Sequence, residues 1–180
     1  VHLKGHFCLT RHACAHWRAR AKAGEAVDAR IINTSSGAGL LGSVGQSNYS
    51  AAKGGIASLT LVQAAELARY GITANAIAPA ARTRMTEDAF ADMMKKPESG
   101  FDAMDPANIA PLVAWLASSE SKDVTGQIFE ISGGKVSVSD GWFEGPSVDR
   151  GERWPAGDLG AAIRDLLGQA RTPTKPYGAQ

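Results

Sequence analysis

Three short apolar segments alternate with helical segments, and this alternation constrains the fold more than any other feature of the sequence. The segments are Ala29 to Ser35 (ARIINTS), Ile72 to Ala78 (ITANAIA) and Gln127 to Ser132 (QIFEIS). Each has the length and the isoleucine content of a buried strand. Pro79 follows the second segment directly, and we expect it to end that strand.

Helical patterns fill the connections between these segments. The first runs from about His2 to Ala23, and the second from about Asn48 to Tyr70, where Gly71 can adopt the left-handed conformation that ends a helix. A third begins near Pro106. Because parallel strands need crossover connections of this length, the sequence predicts an α/β fold with a parallel sheet.

Two regions lack a sustained helical or strand period in their apolar residues. Arg82 to Asp105 carries methionines, charges and the segment KKPESG, which indicates a mobile loop or a lid over a site. After Gly134 the chain is rich in Gly, Pro and Trp, with one short helix predicted at Asp158 to Leu167 and a loose end, RTPTKPYGAQ. We therefore place a boundary between residues 1–136 and residues 137–180, the latter an extension that packs on the former.

Composition and charge disfavour several functions. Lys and Arg total 19 against 18 for Asp and Glu, and no basic run could neutralise a row of phosphates, so we expect no nucleic-acid partner. No apolar stretch approaches the ~18 residues that span a bilayer, and VHLKGHF lacks the order of a signal peptide. We expect no membrane partner and a cytoplasmic location. Because a helical pattern starts at Val1 without a cap, we expect a longer chain or a late start.

Histidines and cysteines cluster in the first predicted helix. Cys8 and Cys14 lie about 9 Å apart along a helix, too far for a disulfide, so we expect free thiols. His12 and His16 share a helix face, with Cys8 one turn earlier, a spacing that can ligate zinc. No carboxylate or distant ligand completes a set of four. We therefore interpret these residues as packing groups and predict no metal site.

A tyrosine and a lysine stand four positions apart in the second predicted helix. Tyr49 and Lys53 would share one helix face. A fixed ammonium favours phenolate, which brings a phenol toward the range in which a general acid or base works near neutral pH. An accidental pair on a solvated face would have the same spacing, so the context must decide.

Ser36 supplies that context. It follows the first strand directly, at the end of a parallel sheet where ligands collect, and it precedes Tyr49 by 13 residues. The glycines of GAGLLGSVG between them let the backbone bend back. Ser36 and Tyr49 could then donate to one carbonyl oxygen, which is an oxyanion-type arrangement. A turn serine is the alternative for Ser36 taken by itself.

At this point the sequence resembles the short-chain dehydrogenase/reductase family. The resemblance is carried by Ser36, Tyr49 and Lys53 in this order, by NAIAP, by Thr83-x-Met85 and by VTGQIFEISGG, and it extends from His2 to about Gly134. VHLKGHF, GQSNYSAAK, TRMT and VAWL are most similar to the dehydrogenase part of peroxisomal multifunctional enzymes and its bacterial relatives. Their substrates are (3R)-hydroxyacyl-CoA thioesters and, in some members, steroids.

The resemblance implies a three-layer Rossmann-type parallel sheet of which this chain carries the second half, so that residues 1–136 form the catalytic half of the domain. It also implies roles for single residues. Tyr49 would transfer the hydroxyl proton, Ser36 would hold the substrate oxygen, and Lys53 would bind the nicotinamide ribose. Pro79 and Thr83 would lie along the nicotinamide of NAD or NADP, with NAD favoured.

Three departures from the family pattern affect these expectations. Ala80 stands where glycine is usual, and the loop to Thr83 is one residue shorter, which weakens the expected nicotinamide contacts. His2 stands where the family commonly has asparagine; it could hold a water in a proton relay, or it could be structural. The glycine-rich turn that would hold the pyrophosphate is absent. GAGLLG follows the wrong strand, so we do not interpret it as that turn.

The sequence leaves two hypotheses open. The first is an oxidoreductase that moves a hydride between a nicotinamide cofactor and a secondary alcohol or ketone. The second is a catalytically inactive remnant that serves as an oligomerisation or binding module. We also expect a homodimer or homotetramer built on the two long helices. Residues 1–180 alone should be insoluble, domain-swapped or dependent on a partner segment, because Ala29 to Ser35 would be an uncovered edge strand. They should bind NAD(H) or NADP(H) weakly or not at all.

Overall fold

The computed structural model describes residues 1–89, 91–92 and 94–179. Single turns of 3-10 helix lie at Ala68–Tyr70, Pro106–Ile109 and Ser119–Ser121. The longer elements, in chain order, are α1 (His2–Lys22), β1 (Ala29–Thr34), α2 (Gly37–Leu41), α3 (Ser47–Leu67), β2 (Ile72–Ala80), α4 (Arg84–Ala89), α5 (Ala110–Ala117), β3 (Ile128–Ser132), β4 (Lys135–Val138) and α6 (Ala156–Gln169).

The strands form one sheet in the order β1-β2-β3-β4. The first three are parallel, with Ala29 opposite Ile72 and Ala76 opposite Ile128. β4 runs antiparallel to β3. Helices α3 and α5 lie in the crossovers that parallel strands require. The prediction of an α/β fold with a parallel sheet is confirmed.

Helices cover both faces of the sheet, which gives three layers. On one face Ala29 and Ile31 of β1 pack with Leu67 of α3 and with Trp17 of α1. On the other face of the sheet, Ile32 packs in the apolar cluster around Leu116 of α5. Successive side chains of a strand point to opposite faces, so β1 is covered on both sides by apolar packing.

A buried polar network joins β1 to the two long helices. Asn33, 2% exposed, donates through Nδ2 to Thr60 Oγ1 at 2.9 Å and to Gln63 Oε1 at 2.8 Å. Gln63 Nε2 in turn donates to Thr10 Oγ1 of α1 at 2.8 Å. Because a buried polar group without a partner is costly, these side chains hold β1, α3 and α1 in one arrangement.

Helix α2 packs on α3 through bare backbone. A Cβ added at Gly39 would lie 2.5 Å from the carbonyl carbon of Lys53 and 2.6 Å from Gly54 N. A Cβ added at Gly54 would lie 2.9 Å from Gly39 O. No side chain fits between the two helices at this point, so Gly39 and Gly54 set how closely α2 approaches α3.

Several elements differ from the sequence-based expectation. Pro79 does not end the second strand: β2 continues to Ala80, and Pro79 lies opposite Ile131 of β3. The region from Arg82 to Asp105, which we expected to be a loop, contains α4, while Phe90 and Met93 within it lie outside the described residues. The short helix α2 and the antiparallel strand β4 were not expected. Strand β4 exists because the chain turns at Gly133, where φ is +55°.

The chain divides into two units. The first is Val1–Ser139 together with Pro176–Gln180, and the second is Asp140–Lys175. Within the second, Arg150 binds Asp158 at the start of α6 at 2.8 Å. In the first, Tyr177, part of the end that we expected to be loose, pairs with Ser43. The expected packing of residues 137–180 as an extension stays a prediction.

No helix in the part of the chain that the structure describes is long and apolar enough to cross a membrane. The cytoplasmic location stays a prediction. Cys8 and Cys14 are free thiols.

The α2–α3 contact leads to a stability prediction. In the full-length protein, Gly39→Ala should destabilise the fold by about 1–3 kcal/mol, because the added methyl group forces two backbones apart. Denaturant unfolding followed by circular dichroism measures the loss.

Gly5→Ala is the matched control. Gly5 also lies in a helix, and a Cβ added there meets nothing within 4 Å. This variant should be neutral or more stable by up to ~1 kcal/mol. Equal unfolding midpoints for wild type and Gly39→Ala would show that α2 and α3 do not touch as described.

Candidate active site

A buried lysine joins α3 to the end of β1. The side chain of Lys53 is almost wholly enclosed, with the residue 6% exposed, and its Nζ donates to the carbonyl oxygen of Thr34 at 2.7 Å. Burial lowers the pKa of the Lys53 ammonium below its ordinary value. An ammonium has three N–H donors, and among the described residues Thr34 is the acceptor of one. Two donors remain for a ligand.

Tyr49 lies one helical turn before Lys53. The Lys53 Nζ is 5.8 Å from the centroid of the Tyr49 ring, so the shared helix face predicted from the spacing is present. The ring of His2, at the start of α1, meets the Tyr49 ring edge to face, with centroids 5.4 Å apart and planes at 85°. The structure thus brings together three of the residues singled out in the sequence; their catalytic roles stay predictions.

Ser36 stands between β1 and α2 with an extended backbone. Its Oγ accepts a hydrogen bond from the amide of Ala38 at 3.2 Å, which caps the N-terminus of α2. This contact uses a lone pair of the oxygen and leaves the hydroxyl proton free to donate to a substrate oxygen. The turn serine and the catalytic serine considered above are therefore compatible.

Ser35 is a site-supporting residue that sequence reasoning missed. It is 2% exposed, and its Oγ donates to the carbonyl oxygen of Lys53 at 2.8 Å. Together with the Gly39–Gly54 contact, this bond fixes the turn of α3 that carries Lys53 against the segment that carries Ser36. The only sequence signal was the run of small residues after the strand, which does not reveal which of them face α3.

The same contacts settle the interpretation of GAGLLG. Its backbone is covered by α3 at Gly39, as described, and by the side chain of Tyr177 at Gly37, where an added Cβ would lie 2.8 Å from Tyr177 Oη. A glycine-rich turn that cradles phosphates needs open amides at the start of a helix. This segment is used for packing instead, in agreement with the sequence-based interpretation.

Pro79 and Thr83 lie at the carboxyl end of β2, the neighbour of β1. Thr34 is opposite Ile77, so the ends of the two strands meet at one edge of the sheet. Thr83 directly precedes α4: its amide donates to Thr86 Oγ1 at 2.7 Å, and its own Oγ1 accepts from the Thr86 amide at 3.3 Å. Neither residue hydrogen-bonds to Tyr49 or Lys53 among the described residues. Their nicotinamide contacts stay predictions.

The segment after Thr83 is tied down at its base. Arg82 forms an ion pair with Asp102 and donates to the carbonyl oxygen of Met94 at 3.1 Å. The hydrogen bond from Arg82 holds the pKa of the Asp102 carboxyl below its ordinary value. Asn108 Nδ2 also donates to Asp102 O at 2.9 Å. These bonds hold the two ends of the segment 82–105 close to each other beside the end of β2. The function of this segment as a lid stays a prediction.

The residues at this edge fit the nicotinamide end of a dinucleotide. Lys53 offers donors that ribose hydroxyls can satisfy, and the carboxyl ends of β1 and β2 form the edge at which such ligands bind in parallel sheets.

No group of three or more His, Cys, Asp or Glu side chains able to hold a metal ion occurs in the described ranges.

Comparison with known proteins gives the same family. A family model described as enoyl-(acyl carrier protein) reductase matches residues 1–135. The chain is 44% identical over 182 residues to the hydroxyacyl-CoA dehydrogenase ChsB1 of Mycobacterium tuberculosis, covering 99% of this chain and 57% of that protein. It is 38% identical over 142 residues to human (3R)-3-hydroxyacyl-CoA dehydrogenase, covering 74% and 51%.

A solved structure extends the match to nearly all of this chain. The crystal structure of a short-chain dehydrogenase from Mycobacterium avium is 60% identical, with a TM-score of 0.88 over 99% of this chain and 58% of that one. The chain thus spans a little over half the length of these relatives. Ser36, Tyr49 and Lys53 lie within the matched range, on the elements described above. The chain belongs to the short-chain dehydrogenase/reductase family.

Proposed function

We propose that the protein is an oxidoreductase that transfers a hydride between a nicotinamide cofactor and a secondary alcohol or ketone. The observation that carries the proposal is the packing of Tyr49 against the buried Lys53, one turn apart on α3 and beside the end of β1. Family membership and relatives named as dehydrogenases support it. A buried ammonium beside a phenol at a ligand-binding sheet edge suits proton transfer better than a purely structural role.

Each site residue has a stated role in this proposal. Tyr49 takes the hydroxyl proton when the alcohol is oxidised and returns it when the ketone is reduced. Ser36 Oγ donates a hydrogen bond to the same oxygen and holds it at Tyr49. Lys53 places its ammonium beside the Tyr49 ring, with Nζ 5.8 Å from the ring centroid. A nicotinamide cofactor bound beside these residues would supply or accept the hydride. For His2, whose ring meets the Tyr49 ring edge to face, we propose that it holds a water in a proton relay.

We propose NAD as the cofactor, because the family resemblance favours it. The two free donors of Lys53 would hold the nicotinamide ribose, with Pro79 and Thr83 along the nicotinamide ring. The charged residue that selects between NAD and NADP is not recognisable in residues 1–180, so the resemblance alone supports NAD.

For the substrate we propose a 3-hydroxyacyl thioester. Two relatives that match this chain carry hydroxyacyl-CoA dehydrogenase in their names. The alternative of an inactive remnant predicts the same fold and assembly without turnover, so an assay of the full-length protein with a 3-hydroxyacyl-CoA and NAD separates the two hypotheses.

The first functional test removes one oxygen. Tyr49→Phe should lower turnover by about 10²–10⁴ because the proton-transferring group is lost, while NAD affinity stays within about twofold. Lys53→Met should weaken both turnover and NAD affinity, since the ammonium serves both. Steady-state kinetics and calorimetric titration of the full-length protein measure these effects.

Tyr70→Phe is the matched control. Tyr70 lies just beyond the other end of α3, against Arg18 and Arg69, with their Cζ atoms 5.4 and 4.9 Å from its ring centroid. Removing the Tyr70 hydroxyl should leave turnover within about twofold of wild type. Wild-type turnover in Tyr49→Phe would contradict the proposed role of Tyr49 in proton transfer.

We also propose a homodimer or homotetramer built on α1 and α3. These helices pack closely where a Cβ at Gly55 would lie 3.0 Å from Leu3 Cδ2. Leu3 (40% exposed), Phe7 (50%) and Val62 (49%) line an apolar groove at this contact, and Leu61 (47%) is exposed elsewhere on α3. An exposed apolar surface on two long helices suits a second copy of the same surface.

Light scattering tests the assembly. At micromolar concentration the full-length protein should scatter as a dimer or tetramer, and Val62→Arg should shift it toward monomer because a charge enters the apolar contact. Val148→Arg is the control, since Val148 is as exposed, at 51%, but belongs to the other unit. A monodisperse wild-type monomer would exclude the proposed assembly.

A further inference from the structure

The end of the chain is paired with the loop that connects Ser36 to Tyr49. Tyr177 forms a parallel bridge with Ser43. The amide of Val44 donates to Tyr177 O at 2.9 Å, and the amide of Tyr177 donates to Gly42 O at 3.1 Å. The loop between α2 and α3 is therefore held at its middle by backbone hydrogen bonds to residues remote in sequence.

Side chains of the same segment fit the loop position by position. A Cβ added at Gly37 would lie 2.8 Å from Tyr177 Oη and 3.1 Å from the edge of its ring. One added at Gly42 would lie 3.4 Å from the Pro176 side chain, and one added at Gly178 would lie 3.5 Å from Val44 Cβ. Tyr177 thus covers the residue directly after Ser36, where an added methyl group would have to displace the Tyr177 ring.

This contact leaves an apolar surface beside Ser36. Tyr177 is 50% exposed and Val44 is 63% exposed, although both are held by the hydrogen bonds just described. Neither side chain has a part in the proton transfer assigned to Tyr49. A half-exposed aromatic ring fixed next to a group that binds a substrate oxygen is suited to contact the apolar remainder of that substrate.

We propose that Pro176–Ala179 is a strap for the site and that Tyr177 is a positioning residue for the substrate. The inference rests on the proposed function. The strap limits the motion of the loop on which the relative placement of Ser36 and Tyr49 depends, and the Tyr177 ring borders the acyl part of a 3-hydroxyacyl thioester. Holding a reactant in a productive geometry requires rigid flanking groups, and a free loop would have to be ordered at each binding event.

The kinetic test separates positioning from chemistry. In the full-length protein, Tyr177→Ala should raise KM for a long-chain 3-hydroxyacyl-CoA about tenfold, with kcat changed less than about twofold, because the reacting groups remain in place. Tyr177→Phe keeps the ring and should restore KM to within about twofold of wild type. An equal loss of kcat and kcat/KM in Tyr177→Ala, or a KM unchanged from wild type, would overturn the role of Tyr177.

A double-mutant cycle tests the contact itself. Gly37→Ala should lower the unfolding midpoint in the wild-type background, because its methyl group meets the Tyr177 ring, and should lower it less when Tyr177 is alanine. The same loss in both backgrounds would show that Tyr177 does not cover Gly37.

Amide exchange provides a readout independent of turnover. The Val44 amide should exchange slowly in wild type and at least about tenfold faster in a variant that ends at Lys175, since its acceptor is removed. Fast exchange in wild type would overturn the strap. Wild-type turnover in Tyr49→Phe would instead overturn the proposed function, and with it the role of Tyr177, while the exchange result would still decide whether the strap exists.

Discussion

The hydrogen bond from Lys53 Nζ to the carbonyl oxygen of Thr34 is the interaction on which the rest of the site depends. An ammonium enclosed by protein is costly unless it is hydrogen-bonded, so the fold must supply an acceptor where α3 passes the end of β1. The bond places Lys53 beside Tyr49 and ties both to the strand that continues into Ser36. Removing this lysine would therefore affect packing and charge together and, under the proposed function, ligand binding as well.

Close backbone approach makes that hydrogen bond possible. Lys53 and Gly54 face Gly39 with no side chain between them, and Ser35 binds the carbonyl oxygen of Lys53 from the strand side. The functional side chains project from a region whose own backbone is immobilised on two sides. A site built in this way can hold a phenol and a hydroxyl in fixed relation although they are carried by different elements.

Much of the fold could be predicted from the sequence because its signals are local. Isoleucine-rich strands, a glycine at the end of a helix and a Tyr-Lys spacing of four residues each leave a recognisable pattern, and the family resemblance adds the order of Ser36, Tyr49 and Lys53. Helix α2 was missed because five residues with two glycines show no helical period. The end of β2 was misplaced because a proline lacking an N–H is still compatible with the last residues of a strand.

Contacts between distant segments could not be predicted from such signals. Ser35 and Gly39 differ from neighbouring small residues only in what they face, and nothing in the sequence near Tyr177 indicates that it pairs with Ser43. The placement of His2 against Tyr49 depends on the crossing of α1 and α3. In each case the determining fact is a three-dimensional neighbour rather than a periodic pattern.

The polar network around Asn33 has a consequence for folding accuracy. Side chains alternate between the faces of a strand, so a shift of β1 by one residue relative to its neighbours would turn Asn33 toward the apolar cluster of α5 and bring Ile32 or Thr34 against Thr60 and Gln63. Apolar packing alone discriminates weakly here, because both faces of β1 are covered by hydrophobic side chains. The Asn33 amide therefore favours the native register: a misaligned strand leaves Asn33 Nδ2 and Gln63 Oε1 without the hydrogen bond that joins them, although Thr60 Oγ1 keeps its bond to Ile56 O.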